Sequence, residues 1–281
     1  EKKYETEVKN GKVKFSQTDR EKNLVNLMRI NILKRLESGV NSFKLTLERI
    51  LAQVNNYLNM IDGSGNVDTI SPDWDDIEDE EFIEDVNEDI EIGGKVKVKL
   101  CDMDLIKFKQ DLLEDKELLA DLVETADLVH PGNDAKLERL KQQIAEKIEN
   151  PINEGNKKVI IFTAFADTAK YLYENIATWV YDTYGLASGI ITGSSKVETN
   201  LKGVHNSFET ILTYFSPRSN HFKTDREIDI LFATDCISEG QNLQDCDYLI
   251  NYDIHWNPVR LIQRFGRVDR IGSNNKEIQL V

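Results

Sequence analysis

The chain has 281 residues, 40% of them hydrophobic, so it is long enough to bury a core in one large domain or two modest ones. It has no run of about 18 apolar residues, so we expect no membrane-spanning helix and no membrane partner. The first ten residues lack an apolar signal-peptide core, and the absence of an initial Met indicates a piece of a longer protein. The three cysteines form no CxxC pair and no cluster with histidine, which predicts no metal site and favours a reducing, cytoplasmic compartment.

The formal net charge of −15 is concentrated in one segment. Residues 62–91 hold 14 Asp and Glu and no Lys or Arg. Without them the chain has 35 basic and 36 acidic residues, so the remainder is near neutral and can carry a basic face. The composition of residues 62–92 favours a solvated spacer, and the alternative is an acidic mimic that occupies a basic groove.

Helical patterns lie on both sides of this acidic segment. Apolar residues recur every three or four positions within residues 20–61, which predicts an amphipathic helix. Its apolar stripe needs a partner, either in a helical hairpin or on a separate domain. A second helix is predicted within residues 102–128, and a third begins at Asp134 after a Pro-Gly break.

From residue 157 onwards, short apolar runs alternate with amphipathic stretches. The runs that predict strands are KKVIIFTAF, LASGIITGSS, EIDILFATD, DYLINYDI and, at the end, EIQLV. A helix ending at Gly185 follows the first run. Strand–helix–strand units of this spacing are typical of parallel sheets. The sequence therefore predicts an α/β fold with an open, mostly parallel sheet and flanking helices, preceded by a largely helical N-terminal region.

These patterns divide the chain into three parts. Residues 1–61 are predicted to form a helical segment, residues 62–131 an acidic insert with a helix, and residues 132–281 the α/β domain. We expect the chemistry to lie in the last part, because ligands of open parallel sheets bind beyond the carboxyl ends of the strands.

Polar residues follow the four predicted internal strands. The first strand ends at Thr163, the second at Thr192 and Gly193, the third at Thr234, and the fourth at Asp253. Hydroxyl groups, glycines and backbone N–H groups at such turns are suited to bind phosphate. Each of these residues alone is commonly a simple cap or turn, but four such ends in one sheet predict a phosphate-binding edge.

A helix rich in arginine is predicted after the fourth strand, within NPVRLIQRFGRVDRIGS. Asn257 is suited to cap this helix and Pro258 to begin it, and we expect it to continue to about Ile271. Gly266 would permit a close approach to the sheet, at a helix cost of about 1 kcal/mol. The apolar residues expected to pack against the sheet are Val259, Ile262, Phe265 and Val268.

Gln263, Arg267 and Arg270 are spaced so that they share one face of this helix, flanked by Arg260 and Arg264. The planar guanidinium group binds phosphate oxygens in pairs. A row of such groups beside the sheet edge can stabilise charge on a γ-phosphate, as arginine fingers do. The alternative is that some of them pair with carboxylates and only hold the fold; the candidates are Asp235, Asp253 and Asp269.

The chain has no P-loop of the form GxxxxGK[ST] and no apolar strand ending in Asp-Glu that would hold Mg²⁺. Its segments VIIFTAF, ITGSS, ILFATDCISEGQNLQ and NPVRLIQRFGRVDRIGS resemble successive motifs of the C-terminal RecA-like lobe of superfamily-two helicases. The similarity is greatest to the bacterial Swi/Snf-related, RapA/HepA-like translocases, and it covers residues 132–281. The pattern Q-R-x-G-R-x-x-R-x-G is its specific part, although the family pattern often ends in Gly-Gln where this chain has Gly272-Ser273.

The resemblance implies one lobe of an ATP-dependent DNA translocase or helicase. Arg267 and Arg270 would be arginine fingers, and Gln263 would couple the ATP site to DNA. An N-terminal RecA-like lobe of the same parent chain would hold ATP with Mg²⁺, so this chain alone should be inactive. Glu239 and Gly240 would lie near the nucleotide. The residues implied to contact the phosphate backbone of DNA are Thr163, Thr192, Gly193 and Thr234.

Two other interpretations remain open. One is a nucleic-acid-binding or regulatory module that has kept the fold and lost catalysis. The presence of Gln263, Arg267 and Arg270 favours the motor lobe over this module, because a pure binder has no need of arginine fingers. The other is the lobe of an RNA helicase, and the string SEGQNLQ, residues 238–244, favours a DNA translocase by resemblance.

Overall fold

The computed structural model describes most of the chain, with its side chains from Val25 onwards except in the short strands at 69–70 and 98–99. The described ranges are 8–10, 13–15, 17–63, 69–70, 98–99, 103–193, 196–237, 241–254, 257–270 and 272–281. The acidic segment lies almost wholly outside them. Two compact units are formed, Glu1–Leu128 and Val129–Val281, and the predicted three-part division stays a prediction. Within the described ranges, every helix is too short or too polar to cross a membrane.

The first unit contains short antiparallel strand pairs and long helices. Strand β1 (Val8–Asn10) pairs with β2 (Val13–Phe15), and β3 (Thr69–Ile70) pairs with β4 (Val98–Lys99). The helices of its described part are α1 (Gln17–Ser38), α2 (Val40–Ile61) and α3 (Leu105–Asp127). Because the chain is extended at Gly39 (φ −179°, ψ 147°), the single helix predicted within residues 20–61 is divided into two.

Helix α2 packs against both α1 and α3. Val54 and Leu58 of α2 form a buried apolar cluster with Leu112 of α3. The ends of these two helices are also joined by an ion pair between Lys44 and Asp127. The apolar stripe of α2 is therefore covered by neighbouring helices of its own unit, as in the hairpin alternative.

The second unit is built on one six-stranded sheet. Its strands are β5 (Val159–Phe162), β6 (Ala187–Ile191), β7 (Val197–Thr199), β8 (Ile228–Ala233), β9 (Tyr248–Asn251) and β10 (Gln279–Leu280). They lie in the order β10-β9-β5-β8-β6-β7, and every neighbouring pair is parallel except β6 and β7, which are antiparallel. The predicted fold class, an open and mostly parallel α/β sheet, is confirmed.

Both faces of the sheet are covered. The helices of this unit are α4 (Ala135–Glu149), α5 (Ala166–Tyr184), α6 (Phe208–Phe215) and α7 (Pro258–Val268). Side chains of successive strand residues alternate in direction. Val159 and Ile161 of β5 therefore enter the core formed with α4 and α5, and Ile160 and Phe162 enter the core that contains α6.

Local signals explain where these helices begin and end. Asp134 accepts hydrogen bonds from the backbone of Lys136 and Leu137, both at 3.0 Å, and so begins α4. Gly185 ends α5 in the left-handed conformation (φ 71°) that glycine adopts without strain. Strand β7 and helix α6 were not predicted, because three and eight residues are too few for a clear periodic pattern.

Candidate functional site

The carboxyl ends of three neighbouring strands meet at one edge of the sheet. The backbone N–H of Thr163, just after β5, donates to the carbonyl of Ala233 at 2.9 Å. The N–H of Thr234, just after β8, donates to the carbonyl of Ile191 of β6 at 3.2 Å. The ends of β5, β6 and β8 are therefore adjacent at one edge, and phosphate binding at this edge stays a prediction.

Two of the predicted hydroxyl groups are used inside the fold. The hydroxyl of Thr163, which is fully buried, donates to the carbonyl of Phe165 at 3.0 Å. The hydroxyl of Thr192 accepts from the N–H of Lys196 at 3.1 Å and so closes the turn after β6. Thr234 is also buried. In this arrangement Thr163 and Thr192 cap turns, and their contact with DNA stays a prediction.

Gly193 is the exposed member of the strand-end group. A Cβ atom built on it would lie 3.1 Å from the Cβ of Cys236. The ends of β6 and β8 thus approach too closely for a larger residue to fit without displacement. Glycine at this position has a packing reason that does not depend on a ligand.

Asp253 ties the end of β9 to the end of β5. One of its carboxylate oxygens accepts from the N–H of Ala164 at 2.9 Å. The other lies 3.4 Å from the ammonium group of Lys136. That ammonium group also lies 4.0 Å from the centroid of the Tyr252 ring, a favourable cation–π distance. The first turn of α4 is therefore held at the same sheet edge.

Arg264 joins helix α7 to the edge through a buried fork. Its Nε donates to one carboxylate oxygen of Asp235 at 2.6 Å, and its Nη2 donates to the other oxygen. Its Nη1 donates to the side-chain oxygen of Asn251 at 3.1 Å. The guanidinium carbon lies 5.1 Å from the centroid of the Phe162 ring, so three strands contribute to its surroundings.

This fork assigns a structural role to one of the three arginines in QRFGRVDR. The Arg264 side chain is fully buried and that of Asp235 is 6% exposed, so each charge depends on the other for compensation. The predicted alternative, an arginine that pairs with Asp235 to hold the fold, applies to Arg264. The fork therefore fixes the position of α7 at the sheet edge and its rotation about the helix axis.

The other two arginines lie at the far end of α7. The helix ends at Val268, and Asp269 is extended (φ −88°, ψ 92°), so the helix predicted to reach Ile271 was too long. Arg267, in the last turn, is 5% exposed. Arg270 lies beyond the helix, so it does not continue the helical face of Gln263 and Arg267.

Arg270 is held by groups on two segments. Its Nε donates to the carbonyl of Gly266 at 3.2 Å, and its Nη1 donates to the side-chain oxygen of Asn242 at 2.9 Å. The N–H of Leu243 donates to the carbonyl of Arg267 at 3.3 Å, so residues 241–243 run beside the end of α7. Asn242 was not singled out from the sequence, although it lies within the SEGQNLQ string.

Glu239, Gly240 and Gln263 complete the set of predicted site residues. Glu239 and Gly240 lie outside the described residues. Gln263 is half-buried on α7, next to Arg264 in sequence. The structure therefore brings Arg267 and Arg270 together with residues 241–243, and it brings the strand ends together at the edge to which Arg264 binds.

Comparison with known proteins finds a family that resembles part of this chain. Residues 135–272, just under half of the chain, match the model of the helicase conserved C-terminal domain. Together with the open, mostly parallel sheet, this match agrees with the predicted RecA-like lobe of a superfamily-two helicase.

The curated proteins that this chain resembles are much longer than the matched segment. The chain is 33% identical over 128 residues to the uncharacterized ATP-dependent helicase YqhH of Bacillus subtilis strain 168, covering 46% of this chain and 19% of that protein. It is 29% identical over 154 residues to the putative ATP-dependent DNA helicase fml2 of Schizosaccharomyces pombe, covering 55% and 18%. The solved C-terminal part of the Fun30 ATPase domain shares 20% identity and a TM-score of 0.39, covering 63% of this chain and 52% of that chain. The match thus spans about a fifth of the length of the two curated relatives.

The outer surface of α7 is more apolar than predicted. Val268 is fully buried and Phe265 half-buried, as expected for residues that pack against the sheet. Val259 and Ile262, however, are 52% and 69% exposed, so their predicted packing was wrong. The helix is fixed by the Arg264 fork in a rotation that turns these two side chains away from the sheet.

Gly266 is also not a point of close approach, because a Cβ atom there would meet nothing within 4 Å. We expect Gly266→Ala to raise the free energy of unfolding by about 1 kcal/mol, since alanine favours the helix. Gly189 is the matched control, because its Cβ would lie 2.9 Å from Ile211. Gly189→Ala should lower the free energy of unfolding by about 1–3 kcal/mol. Urea denaturation of the two variants checks both signs, and a destabilised Gly266→Ala would contradict the described surroundings of this residue.

Proposed function

We propose that this chain is the C-terminal motor lobe of an ATP-dependent DNA translocase or helicase of the bacterial Swi/Snf-related, RapA/HepA-like group, acting in the cytoplasm. The family of residues 135–272 supports a helicase lobe, and the motif strings in residues 157–273 support the finer group. An N-terminal RecA-like lobe of the same parent chain would hold ATP with Mg²⁺. The name of the fml2 relative, a DNA helicase, supports DNA as the nucleic acid.

The observation that carries the proposal is the different setting of the arginines along α7. Arg264 is fully buried in its fork with Asp235, which fixes the helix. Arg267 lies in the last turn of α7 and is buried, whereas Arg270 lies just beyond the helix and is half-exposed, and both are beside residues 241–243. The Arg264 fork is enough to dock this helix. Two more arginines at its end suit a function beyond folding, and binding a phosphate chain is the chemistry that guanidinium groups do best.

In the proposed reaction, Arg267 and Arg270 donate hydrogen bonds to oxygens of the transferred phosphoryl group. Charge builds up on these oxygens in the transition state, and a cation already held in position stabilises it without reorganisation. The bonds from Arg270 to Gly266 and Asn242 supply this prior orientation. Closure of the two lobes would bring the arginines to the phosphates and exclude water. Glu239 and Gly240 are proposed to lie near the nucleotide, and Gln263 to link it to DNA.

The proposed DNA contacts lie at the strand-end edge, at Thr163, Thr192, Gly193 and Thr234. Sequence-independent contact with phosphates is what a translocating motor needs. The exposure of Gly193 supports a contact at the turn after β6. The hydroxyls of Thr163 and Thr192 are bonded within the fold, so their contribution would be to shape the turns whose backbone meets DNA.

The strand-end carboxylates do not fit a magnesium site. Asp235 is bound through both oxygens by Arg264, and Asp253 receives the N–H of Ala164 and lies beside Lys136. A Mg²⁺ ligand needs oxygens directed at the ion, and these oxygens already serve other groups. This agrees with the proposal that the other lobe holds the metal with the nucleotide.

ATP hydrolysis by the full-length protein tests this proposal. Turnover should be low with ATP alone and should rise at least about tenfold with duplex DNA, as expected when nucleic acid drives lobe closure. Single-stranded DNA and duplex RNA of equal length are the controls. Stimulation by RNA alone would favour an RNA helicase. Nucleic-acid binding without ATP hydrolysis under any of these conditions would favour the non-catalytic module.

A further inference from the structure

A polar cavity of about 350 Å³ is lined in part by Asn242, the residue whose side-chain oxygen accepts a hydrogen bond from Arg270. Three segments that are distant in sequence form its wall. The lining residues are Arg218, Ser219, His221, Asn242, Gln244, Asp245, Gly272, Asn274 and Asn275. Apart from Gly272, which has no side chain, all of these residues have polar or charged side chains. The volume of the cavity falls within the range of small-molecule sites.

The only carboxylate among the lining residues is used by the fold. Asp245 accepts from the N–H of Arg218 at 2.7 Å, from the N–H of Ser219 at 3.0 Å and from the hydroxyl of Ser219. These bonds stabilise its charge and fix the turn that carries Arg218. The cavity therefore has little capacity to attract a cation, and its remaining groups decide what it binds.

The remaining groups are mainly hydrogen-bond donors. Within the described part of the chain, the guanidinium group of Arg218, the imidazole of His221 and the amide N–H groups of Asn242 and Gln244 make no hydrogen bond to protein. Asn275, by contrast, is saturated, because its amide donates to the carbonyls of Gln244 and Cys246. A permanent cation together with several neutral donors suits an anion with many oxygen acceptors.

We propose that this cavity binds a small phosphorylated molecule. Its phosphate oxygens would accept from Arg218 and from the Asn242 and Gln244 amides, and His221, which also lines the cavity, would contact the rest of the ligand. The occupant is a small molecule because the donors line a concave wall formed by residues 218–221, 242–245 and 272–275 rather than an extended surface. Binding to this cavity does not depend on the function proposed above.

The cavity is connected to Arg270 through one residue. The side-chain oxygen of Asn242 accepts from Nη1 of Arg270 at 2.9 Å, while its amide N–H groups face no protein acceptor among the described residues. A phosphate that accepts from this amide fixes the amide plane, and the oxygen then stays directed at Arg270. The occupant is thus an effector that holds Arg270 in its described orientation, and the two sites affect each other reciprocally.

Isothermal titration calorimetry on the full-length protein at low salt tests the binding. The ligands are inorganic phosphate and ribose 5-phosphate, with unphosphorylated ribose as the neutral control. We expect one site for the phosphorylated ligands and none for ribose. Arg218→Ala should weaken binding about tenfold or more, because a charge-assisted bond is lost. Lys223→Ala is the matched control, since it removes an equal charge from an exposed side chain of the same loop outside the cavity, and it should change binding less than about twofold.

Any other outcome of these titrations would overturn the proposal. Equal weakening by the two variants would mean that general positive charge, and not the cavity, attracts the anion. Loss of duplex DNA binding in Arg218→Ala without any binding of the small ligands would assign this surface to nucleic acid.

The link to Arg270 is checked by the ¹⁵N NMR signal of its Nε, identified by its absence in Arg270→Lys. Ribose 5-phosphate should shift this signal in the wild-type protein and leave it unchanged in Arg218→Ala.

Discussion

Replacing Arg267 or Arg270 by alanine in the full-length protein is expected to lower kcat for DNA-stimulated ATP hydrolysis by about 10³-fold or more, because an arginine finger contributes that much. The loss should fall on kcat rather than on KM, since the proposed contact is with charge that develops in the transition state. Steady-state kinetics with saturating duplex DNA measures both constants.

The chain offers a matched control on the same helix. Arg260 lies in the first turn of α7, at the other end of the helix from Arg267. Arg260→Ala removes the same side chain and the same charge, and we expect it to change kcat by about twofold, as surface substitutions away from a site do. A general effect of reduced positive charge would affect all three variants alike.

Folding must be separated from catalysis for Arg267, because this residue is buried. Arg267→Lys keeps the charge and most of the volume but loses the planar, two-donor geometry, so its kcat should still fall strongly. Thermal unfolding of each variant shows whether the domain is intact. Unchanged kcat in both alanine variants, with the fold retained, would make these arginines structural and favour the non-catalytic module.

The strands were predictable because their chemistry is local. Four consecutive large apolar residues, Val159–Phe162, are needed where a strand is covered on both faces, and all four are fully buried. The polar residues that follow the strands lie together because parallel strands end at the same edge. A parallel topology therefore converts a sequence pattern into a spatial one, and the edge could be predicted without coordinates.

The roles of individual side chains at that edge were less predictable. Three arginines stand within eight residues, and only the positions of Asp235 and Asn251, distant in sequence, select Arg264 as the one that forms the buried fork. Arg270 was assigned to the helix because neither glycine nor proline marks the end at Asp269. The direction of the Thr163 hydroxyl depends on which acceptor lies nearest, and no spacing rule contains that information.

The cavity beside Arg270 could not be predicted from the sequence, for a related reason. Its lining comes from the turn at Arg218, the segment at Asn242 and the segment at Asn274, and no single motif joins these three segments. Asparagine, glutamine and serine in loops ordinarily indicate turns. Their convergence follows from the order of β8, β9 and β10 in the sheet, which the strand pattern alone does not specify.

Replacing Asp235 by alanine is expected to lower the free energy of unfolding of the second unit by about 3–5 kcal/mol, because the variant leaves a buried guanidinium group without its counter-ion. The side chains of Arg264 and Asp235 are 0% and 6% exposed, so water cannot replace the lost carboxylate without opening the edge. The bond from Arg264 to Asn251 and the nearby Phe162 ring would remain and offset only part of the loss. Native-state hydrogen exchange of the β5 and β8 amides measures the change within the full-length protein.

An exposed ion pair supplies the comparison. Glu174→Ala removes a carboxylate that is 51% exposed and lies 3.3 Å from Lys196, and its cost should be about 1 kcal/mol or less.

The double variant Arg264→Met, Asp235→Leu removes both buried charges and should recover much of the stability lost in Asp235→Ala, since apolar side chains of similar volume commonly replace a buried pair at little cost. The ATPase rate of the double variant should nevertheless stay below that of the wild-type protein. The hydrogen bonds that fix the rotation of α7, and thereby the positions of Arg267 and Arg270, would be gone. An equal cost for Asp235→Ala and Glu174→Ala would mean that the fork does not hold the helix. Recovery of both stability and ATPase rate in the double variant would show that packing alone positions the two arginines.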